Sequence, residues 1–418
     1  MKLWTFLKES MLCHADKIAF EGGLTYAELI REAEKPRSFP RRYLRLCSGQ
    51  TRRNQALELL GALAHGEIAV PTGADYGEAR AERIRLAVSR YGSSVSPDTA
   101  LILFTSGTTG EPKGVMLSHE NVIENLLGIE SYFAVEPGQK LLICRPLVHV
   151  SVLVGELLYG LYRGMEICFY EEPFQPRRLA RAIDEGKIDA VCLTPSLMYH
   201  LAPVLSGKSL SSVVLSGERL SLRLAELLGE KYPGIGFYNV YGLTENAPRV
   251  SALTPEDFFR KPGSVGRPIR KTEIRIEDGE LLVRSPSVML GYLGREDLTR
   301  EKVREGFLRT GDAASTDEEG FLYVLGRKDE MIIRGGVNIY PQEIENVVNR
   351  IAGVERCLVF GEEEIQCGQR VCLKYTGTLE PSALRKAFSG KLAPHLLPQK
   401  IERVETLPLT SGGKVIRG

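Results

Sequence analysis

Short apolar runs recur along the chain with amphipathic stretches between them. Residues 100–104, 140–144, 166–170, 189–193 and 212–215 are rich enough in Val, Ile, Leu and Cys to read as buried strands, with helices between them. That alternation predicts an α/β fold on a mainly parallel sheet covered by helices. After Asn239 the pattern changes. Residues 273–277, 280–285 and 320–325 alternate apolar and polar positions, and Asp278-Gly279 and residues 317–320 between them are turn signals of antiparallel sheet. A second change follows Gly326-Arg327-Lys328-Asp329. Pro341 suits the first position of a helix over 342–350, which Gly353 stops; strands near 354–360 and 370–375 and a helix from Pro381 follow. The expected organisation is a large domain, residues 1–327, of stacked βα subdomains plus a small antiparallel β subdomain. A small α+β domain, residues 328–418, completes it.

A length of 418 residues suits two or three domains rather than one core. Lys and Arg number 54 against 53 Asp and Glu, so no overall basic field draws in nucleic acid or anionic lipid, and any phosphate must be held locally. The longest apolar region, 141–162, contains Arg145, His149 and Glu156, which are too costly to place in hydrocarbon. The start is interrupted by Lys8 and Glu9 before it can form a secretory apolar segment. A soluble cytoplasmic protein with no membrane or nucleic-acid partner is expected. The eight cysteines include no C-x-x-C pair, and several lie in apolar runs, so they read as reduced core thiols.

The strongest chemical signal follows the 100–104 run: Thr105-Ser106-Gly107-Thr108-Thr109-Gly110-Glu111-Pro112-Lys113-Gly114, with a helix expected from Ser118 or His119. Backbone N–H groups, hydroxyls and one lysine in such a loop make a cradle for a polyphosphate. It is not a Walker A loop: Pro112 stands where the second glycine belongs, and Gly114 where Ser or Thr should follow Lys113.

Further along come Asn239-Val240-Tyr241-Gly242-Leu243-Thr244-Glu245, residues 279–294, Arg309-Thr310-Gly311-Asp312, residues 326–345, and residues 408–414. In this order the set resembles the adenylate-forming superfamily: acyl- and aryl-CoA ligases, luciferases and peptide-synthetase adenylation domains. The resemblance implies ATP-dependent activation of a carboxylic acid to an acyl-adenylate with loss of pyrophosphate, then transfer to a pantetheine thiol. ATP, Mg²⁺ and coenzyme A, or the phosphopantetheine of a separate carrier protein, are the implied cofactors.

By that resemblance the 105–113 loop, including Thr105, Ser106, Gly107, Thr108, Thr109, Gly110 and Lys113, holds the β- and γ-phosphates. Thr244 donates to the α-phosphate and Glu245 anchors magnesium, although Thr-Glu after Gly alone reads as a helix cap. Tyr241 lies against adenine, with Gly242 beside it, and Asn239 and Ser216-Gly217-Glu218 lie along its edge. Asp312 accepts the ribose hydroxyls with help from Arg327. Lys414, otherwise an ordinary lysine in a Gly-rich tail, becomes the catalytic lysine bridging the acid carboxylate and the α-phosphate. Asp329 is the hinge about which the small domain rotates between half-reactions, bringing the Gly335-Gly336 loop to the pantetheine arm.

His149, in Pro146-Leu147-Val148-His149, is the residue that walls the carboxylate site in acyl- and aryl-acid members. Val150 occupies the place where α-amino-acid members carry an Asp, which disfavours an α-amino acid. Val150, Val154, Ser216, Val240, Pro248 and Arg249 are expected around a mostly apolar acyl pocket. Arg249, if it points inward, favours an acid with a second anionic group. No carrier domain or its attachment motif is read after Lys414, so any carrier is expected to be a separate protein. A noncatalytic nucleotide-binding relative is the competing class, and it would be expected to lack Lys414, Glu245 or Asp312. The first subdomain reads as shortened on its N-terminal side, and the protein as a monomer or homodimer.

Overall fold

The computed structural model describes residues 1–36, 44–73, 77–92, 95–106, 112–364, 367–388 and 391–407. Its centre is a nine-stranded sheet. Gly236–Gly242, Ser212–Ser216, Ala190–Leu193, Lys140–Ile143, Glu166–Phe169 and Ile18–Phe20 run parallel in that spatial order. Leu24–Thr25 closes one edge antiparallel, and Arg249–Leu253 with Arg267–Pro268 closes the other. The five apolar runs are all strands, and a strand covered on both faces has little use for polar alternation.

A second sheet carries Leu44–Cys47, Ile68–Pro71 and Thr99–Ser106 in parallel, then Pro112–Ser118 and Gly291–Tyr292 antiparallel. Between the phosphate loop and the helix expected from Ser118 or His119 the structure adds a strand, Pro112–Ser118, that the sequence pattern did not single out. The described residues on either side of that loop pair as a hairpin from Thr99↔Ser118 to Ser106↔Pro112. Val115 and Leu117 are buried with Met116 half-buried between them, an alternation too short to stand out beside Pro112 and Lys113. Gly114 sits opposite Phe104, whose ring would lie 3.1 Å from any added Cβ. The helix His119–Glu130 then starts where Ser118 and Asn121 form a capping box.

The antiparallel subdomain is Glu273–Glu277, Glu280–Arg284, Val303–Arg304, Phe307–Thr316 and Leu322–Arg327. Its first hairpin turns on Asp278 and Gly279, both at positive φ (48° and 74°). The change of character expected after Asn239 comes later, at Glu273, because the strands Gly236–Gly242 and Arg249–Leu253 remain part of the large sheet.

The last sheet holds Ile332–Arg334, Val337–Ile339, Val354–Glu364, Gly368–Gly377 and Lys400–Arg403. The helix Pro341–Val348 packs on it with Pro341 at its first turn. Ile332, Ile344, Val359, Leu373 and Phe388 belong to a core of this segment's own. The fold is the expected α/β arrangement of a large unit followed by a small α+β one. Among the described residues no helix is long and apolar enough to cross a membrane. None of the eight cysteines is in a disulfide; five are buried, whereas Cys13 is exposed.

Candidate functional site

A cavity of about 780 Å³ opens between the end of the large sheet and the small α+β unit. Gly217, Tyr241, Asp312 and Arg327 line one side, and Gln342 and Asn346 of the helix Pro341–Val348 line the other. Tyr241 is held by its hydroxyl, which donates to Asp312 Oδ2 at 2.5 Å, so its ring is fixed in the cavity wall. Burial, reinforced by the Asp312 carboxylate, pushes the phenol well above its usual range and keeps it a donor. Gly242 is obligatory beside it: an added Cβ would lie 2.2 Å from the Pro248 carbonyl oxygen.

The Arg327 guanidinium ties this wall to the start of the small unit. Its Nη1 donates to Thr310 O at 3.1 Å and lies 3.5 Å from Asp312 Oδ1, while Nε and Nη2 meet both oxygens of Asp329 at 3.1 and 3.2 Å. Burial works against the Arg327 charge, but Asp329 and Asp312 outweigh it and the pKa is raised. Asp329 is also pushed up by burial and pulled further down by Arg327, which leaves it below the usual carboxylate range. Gly311, at φ 78°, lets the guanidinium approach; an added Cβ would lie 3.0 Å from Nη2. Both Asp312 oxygens thus have protein donors, yet a carboxylate accepts about four hydrogen bonds and keeps capacity for a ligand.

A second group forms around Glu245. Thr244 and Glu245 begin a single turn after the strand Gly236–Gly242. Tyr292 donates its hydroxyl to Glu245 Oε1 at 2.7 Å, and Lys113 Nζ lies 5.8 Å from the centre of the same ring. Register places Tyr292 there, since Gly291–Tyr292 pairs with Val115 and Met116 of the loop's returning strand. Lys302 donates to Thr310 O at 3.0 Å, and burial lowers its pKa although Glu245 opposes the shift. Tyr292, Lys302 and Lys113 share a smaller cavity of about 260 Å³.

Of the residues expected around the acid, Val150 and Val154 lie on the helical segment that begins at Val150, and Val240, Pro248 and Arg249 lie on or next to the strands Gly236–Gly242 and Arg249–Leu253. His149 is exposed and caps the helical segment, its carbonyl accepting from Val152 N and Leu153 N. Val150, Val154, Val240 and Pro248 are buried. Residues Leu153–Leu158 form one π-helical stretch, a geometry frequent at functional sites. It presents Glu156, which pairs with Arg145 at 2.6 Å, and Arg145 also donates to Ser216 Oγ at 3.3 Å. Ser216 is thereby joined to the Arg145–Glu156 pair. Asn239 Nδ2 donates to Ser264 O at 2.7 Å, and Glu218 accepts from Ser196 N at 3.0 Å. Arg249 is buried.

Gly335 and Gly336 form a two-residue hairpin turn at φ 56° and 78°, with nothing within 4 Å of either added Cβ, and they stand apart from the residues lining the large cavity. Gly107, Thr108, Thr109, Gly110 and Lys414 lie outside the described residues. Sequence reasoning missed Tyr292, Lys302 and the Arg145–Glu156 pair. Tyr292 closes the 279–294 motif and could have been singled out there, but nothing in the polar helix Glu296–Lys302 marks its last residue.

The sequence profile described as AMP-binding enzyme matches residues 79–293, and that described as AMP-binding enzyme C-terminal domain matches residues 343–414. The chain belongs to the AMP-binding enzyme family. It is 32% identical over 327 residues to a 2-succinylbenzoate–CoA ligase of Listeria monocytogenes, covering 76% of this chain and 68% of that protein. It is 31% identical over 341 residues to a feruloyl-CoA synthase of Amycolatopsis sp, covering 77% and 69%. The structure of o-succinylbenzoate coenzyme A synthetase from Bacillus subtilis in complex with AMP superposes with a TM-score of 0.87 at 26% identity, covering 99% of this chain and 97% of that one. This AMP-binding enzyme is thus an adenylating enzyme by family and by fold.

Proposed function

We propose that this enzyme activates an aryl or alkyl carboxylic acid with ATP, releasing pyrophosphate, and passes the acyl group from the adenylate to the thiol of coenzyme A. The observation that carries the reading is the Tyr241–Asp312–Arg327 constellation in the wall of the large cavity, with Glu245 close to Lys113 across the Tyr292 ring. Family membership and relatives named as CoA ligases point the same way.

In this reading the Tyr241 ring stacks on adenine, Gly217 and Glu218 flank its edge, and Asp312 accepts the ribose hydroxyls. Thr105, Ser106 and Lys113, with Gly107, Thr108, Thr109 and Gly110, hold the β- and γ-phosphates, and Thr244 donates to the α-phosphate. Magnesium is an ion that takes one or two carboxylates plus phosphate oxygens. Glu245, its carboxylate oriented by the Tyr292 hydroxyl, would hold that cation. Magnesium, when bound, neutralises charge on the phosphates.

The acid's carboxylate attacks the α-phosphorus, the bond to pyrophosphate breaks, and Lys414 stabilises the charge gathered between acid and phosphate. The thiolate of coenzyme A then attacks the acyl carbon and AMP leaves, with Asp329 as pivot and the Gly335-Gly336 turn beside the pantetheine arm. His149 and the buried Val150, Val154, Val240 and Pro248 wall the acid, and Val150 cannot pair with an ammonium. The test is ATP–pyrophosphate exchange over a panel of aryl and alkyl acids and α-amino acids, followed by thioester formation with coenzyme A or a pantetheinylated carrier protein. Exchange with aryl or alkyl acids and transfer to coenzyme A is expected; exchange with no acid refutes the reading.

A further inference from the structure

The acyl side of the site holds more buried charge than an uncharged aryl or alkyl group requires. Arg145, Glu156 and Arg249 are 7%, 0% and 2% exposed. Two guanidinium groups face one carboxylate, and that carboxylate is already engaged by Arg145. The other titratable neighbours cannot balance the second guanidinium: burial pushes the Cys192 thiol and the Tyr132 phenol up, so both stay neutral. Arg145 Nε, Glu156 Oε2 and Arg249 Nε are each buried without a hydrogen-bond partner. Three such atoms in one cluster are exceptional, because buried polar groups in native proteins are nearly all satisfied.

The backbone is shaped around Arg249. An ideal Cβ on Gly155 would lie 2.8 Å from its Nη2 and 3.2 Å from its Cζ, so the π-helical stretch offers a bare backbone where the guanidinium lies. The Arg249 main chain is clamped, its N donating to Asn125 Oδ1 at 3.0 Å and its O accepting from Asn125 Nδ2 and Asn246 Nδ2 at 3.0 and 2.7 Å. Its strand partner is Gly242, in the wall of the large cavity.

We infer that the acid activated here carries a second anionic group, a carboxylate, which the Arg249 guanidinium holds at the far end of the acyl site. This rests on the acid-activating reading above. A single negative charge matches what the cluster lacks, whereas a dianion would meet repulsion from Glu156. Arg249 offers a planar fork suited to a carboxylate, and a charge held by charge-assisted hydrogen bonds away from water discriminates strongly against an uncharged isostere.

The test compares succinate, glutarate, adipate and 1,4-phenylenediacetate with their monomethyl esters in ATP–pyrophosphate exchange. Each pair differs in one charge at nearly constant shape. For at least one pair, kcat/KM for the diacid should exceed that for the half-ester by roughly 100-fold. In Arg249→Met that ratio should collapse to near one, mainly through KM for the diacid, and Arg249→Lys should recover part of it. ATP binding by calorimetry and circular dichroism confirm that the variants are folded. If half-esters and simple monoacids serve as well as every diacid, or if Arg249→Met lowers diacid and half-ester equally, the inference is overturned and acid activation stands. If no acid supports exchange, acid activation itself fails.

Discussion

Tyr292→Phe isolates one oxygen atom. The ring that lies beneath Lys113 is kept, and so is the buried volume, but the hydroxyl that donates to Glu245 Oε1 at 2.7 Å is lost. A neutral donor on an ionised carboxylate contributes about 1.5–3 kcal/mol. Removing the partner that orients a metal-binding carboxylate typically costs about 10–100-fold in metal affinity, or about 1.4–2.7 kcal/mol, so the two figures agree. Calorimetric titration of ATP at stepped magnesium concentrations, without acid, reads the effect directly. The magnesium concentration for half-maximal ATP affinity should rise about 10–100-fold, with affinity recovering at saturating metal. Tyr292→Leu, which also removes the ring from Lys113, should bind ATP more weakly even there. A Tyr292→Phe enzyme whose magnesium dependence stays within about twofold of the parent would refute the assignment of Glu245 as the metal carboxylate oriented by Tyr292.

Lys414→Ala should lower pyrophosphate exchange by about 100-fold or more while ATP still binds, and near-normal exchange would remove Lys414 from the adenylation step. Asp329→Pro should spare adenylation and block thioester formation, whereas Asp329→Ala, which loses only the ion pair with Arg327, should retain both half-reactions; equal loss of both steps in the proline variant would count against the hinge. His119 accepts from Leu3 N through Nδ1 at 3.2 Å, and burial, helped by Lys2, lowers its pKa to about 4 from 6.5, so the unfolded chain binds the extra proton and stability falls as pH drops from about 6.5 to about 4. After allowing for partial solvent access this amounts to about 1 kcal/mol at pH 5, and His119→Gln should flatten the pH dependence of chemical denaturation by that amount; an unchanged slope would show that another group sets it.

What the sequence disclosed depended on whether a residue's role is local. Asp278-Gly279, Pro341 and the Ser118 cap act through their own backbone, so their elements were readable. Asp312, Arg327 and Asp329 were singled out by motif order, and the structure adds that one guanidinium joins them. The Arg145–Glu156 pair was visible only in part. Both residues interrupt an apolar run and so exclude a membrane span, but their pairing across eleven positions depends on a π-helical stretch that periodicity does not announce. Tyr292 reads as one residue of a two-residue strand, and only its register against Val115 brings it to Glu245.

Arg249 shows where the surface expectation for arginine gives way. Arginines are seldom fully buried, and in a sheet with one wet face an arginine at a strand end would turn outward. The strand Arg249–Leu253 has no wet face: all five residues are buried, because the sheet lies between the helix His119–Glu130 with its neighbours on one side and a second apolar core on the other. A charged residue at that position must therefore point into protein wherever the register falls. The register pairs it with Gly242, and the bulge between Tyr241 and Gly242 keeps Tyr241 turned toward Asp312 while Arg249 reaches Gly155. On the proposed function, that irregularity lies between the nucleotide wall and the acid side, so a substitution that disturbed the bulge should weaken nucleotide and acid recognition together.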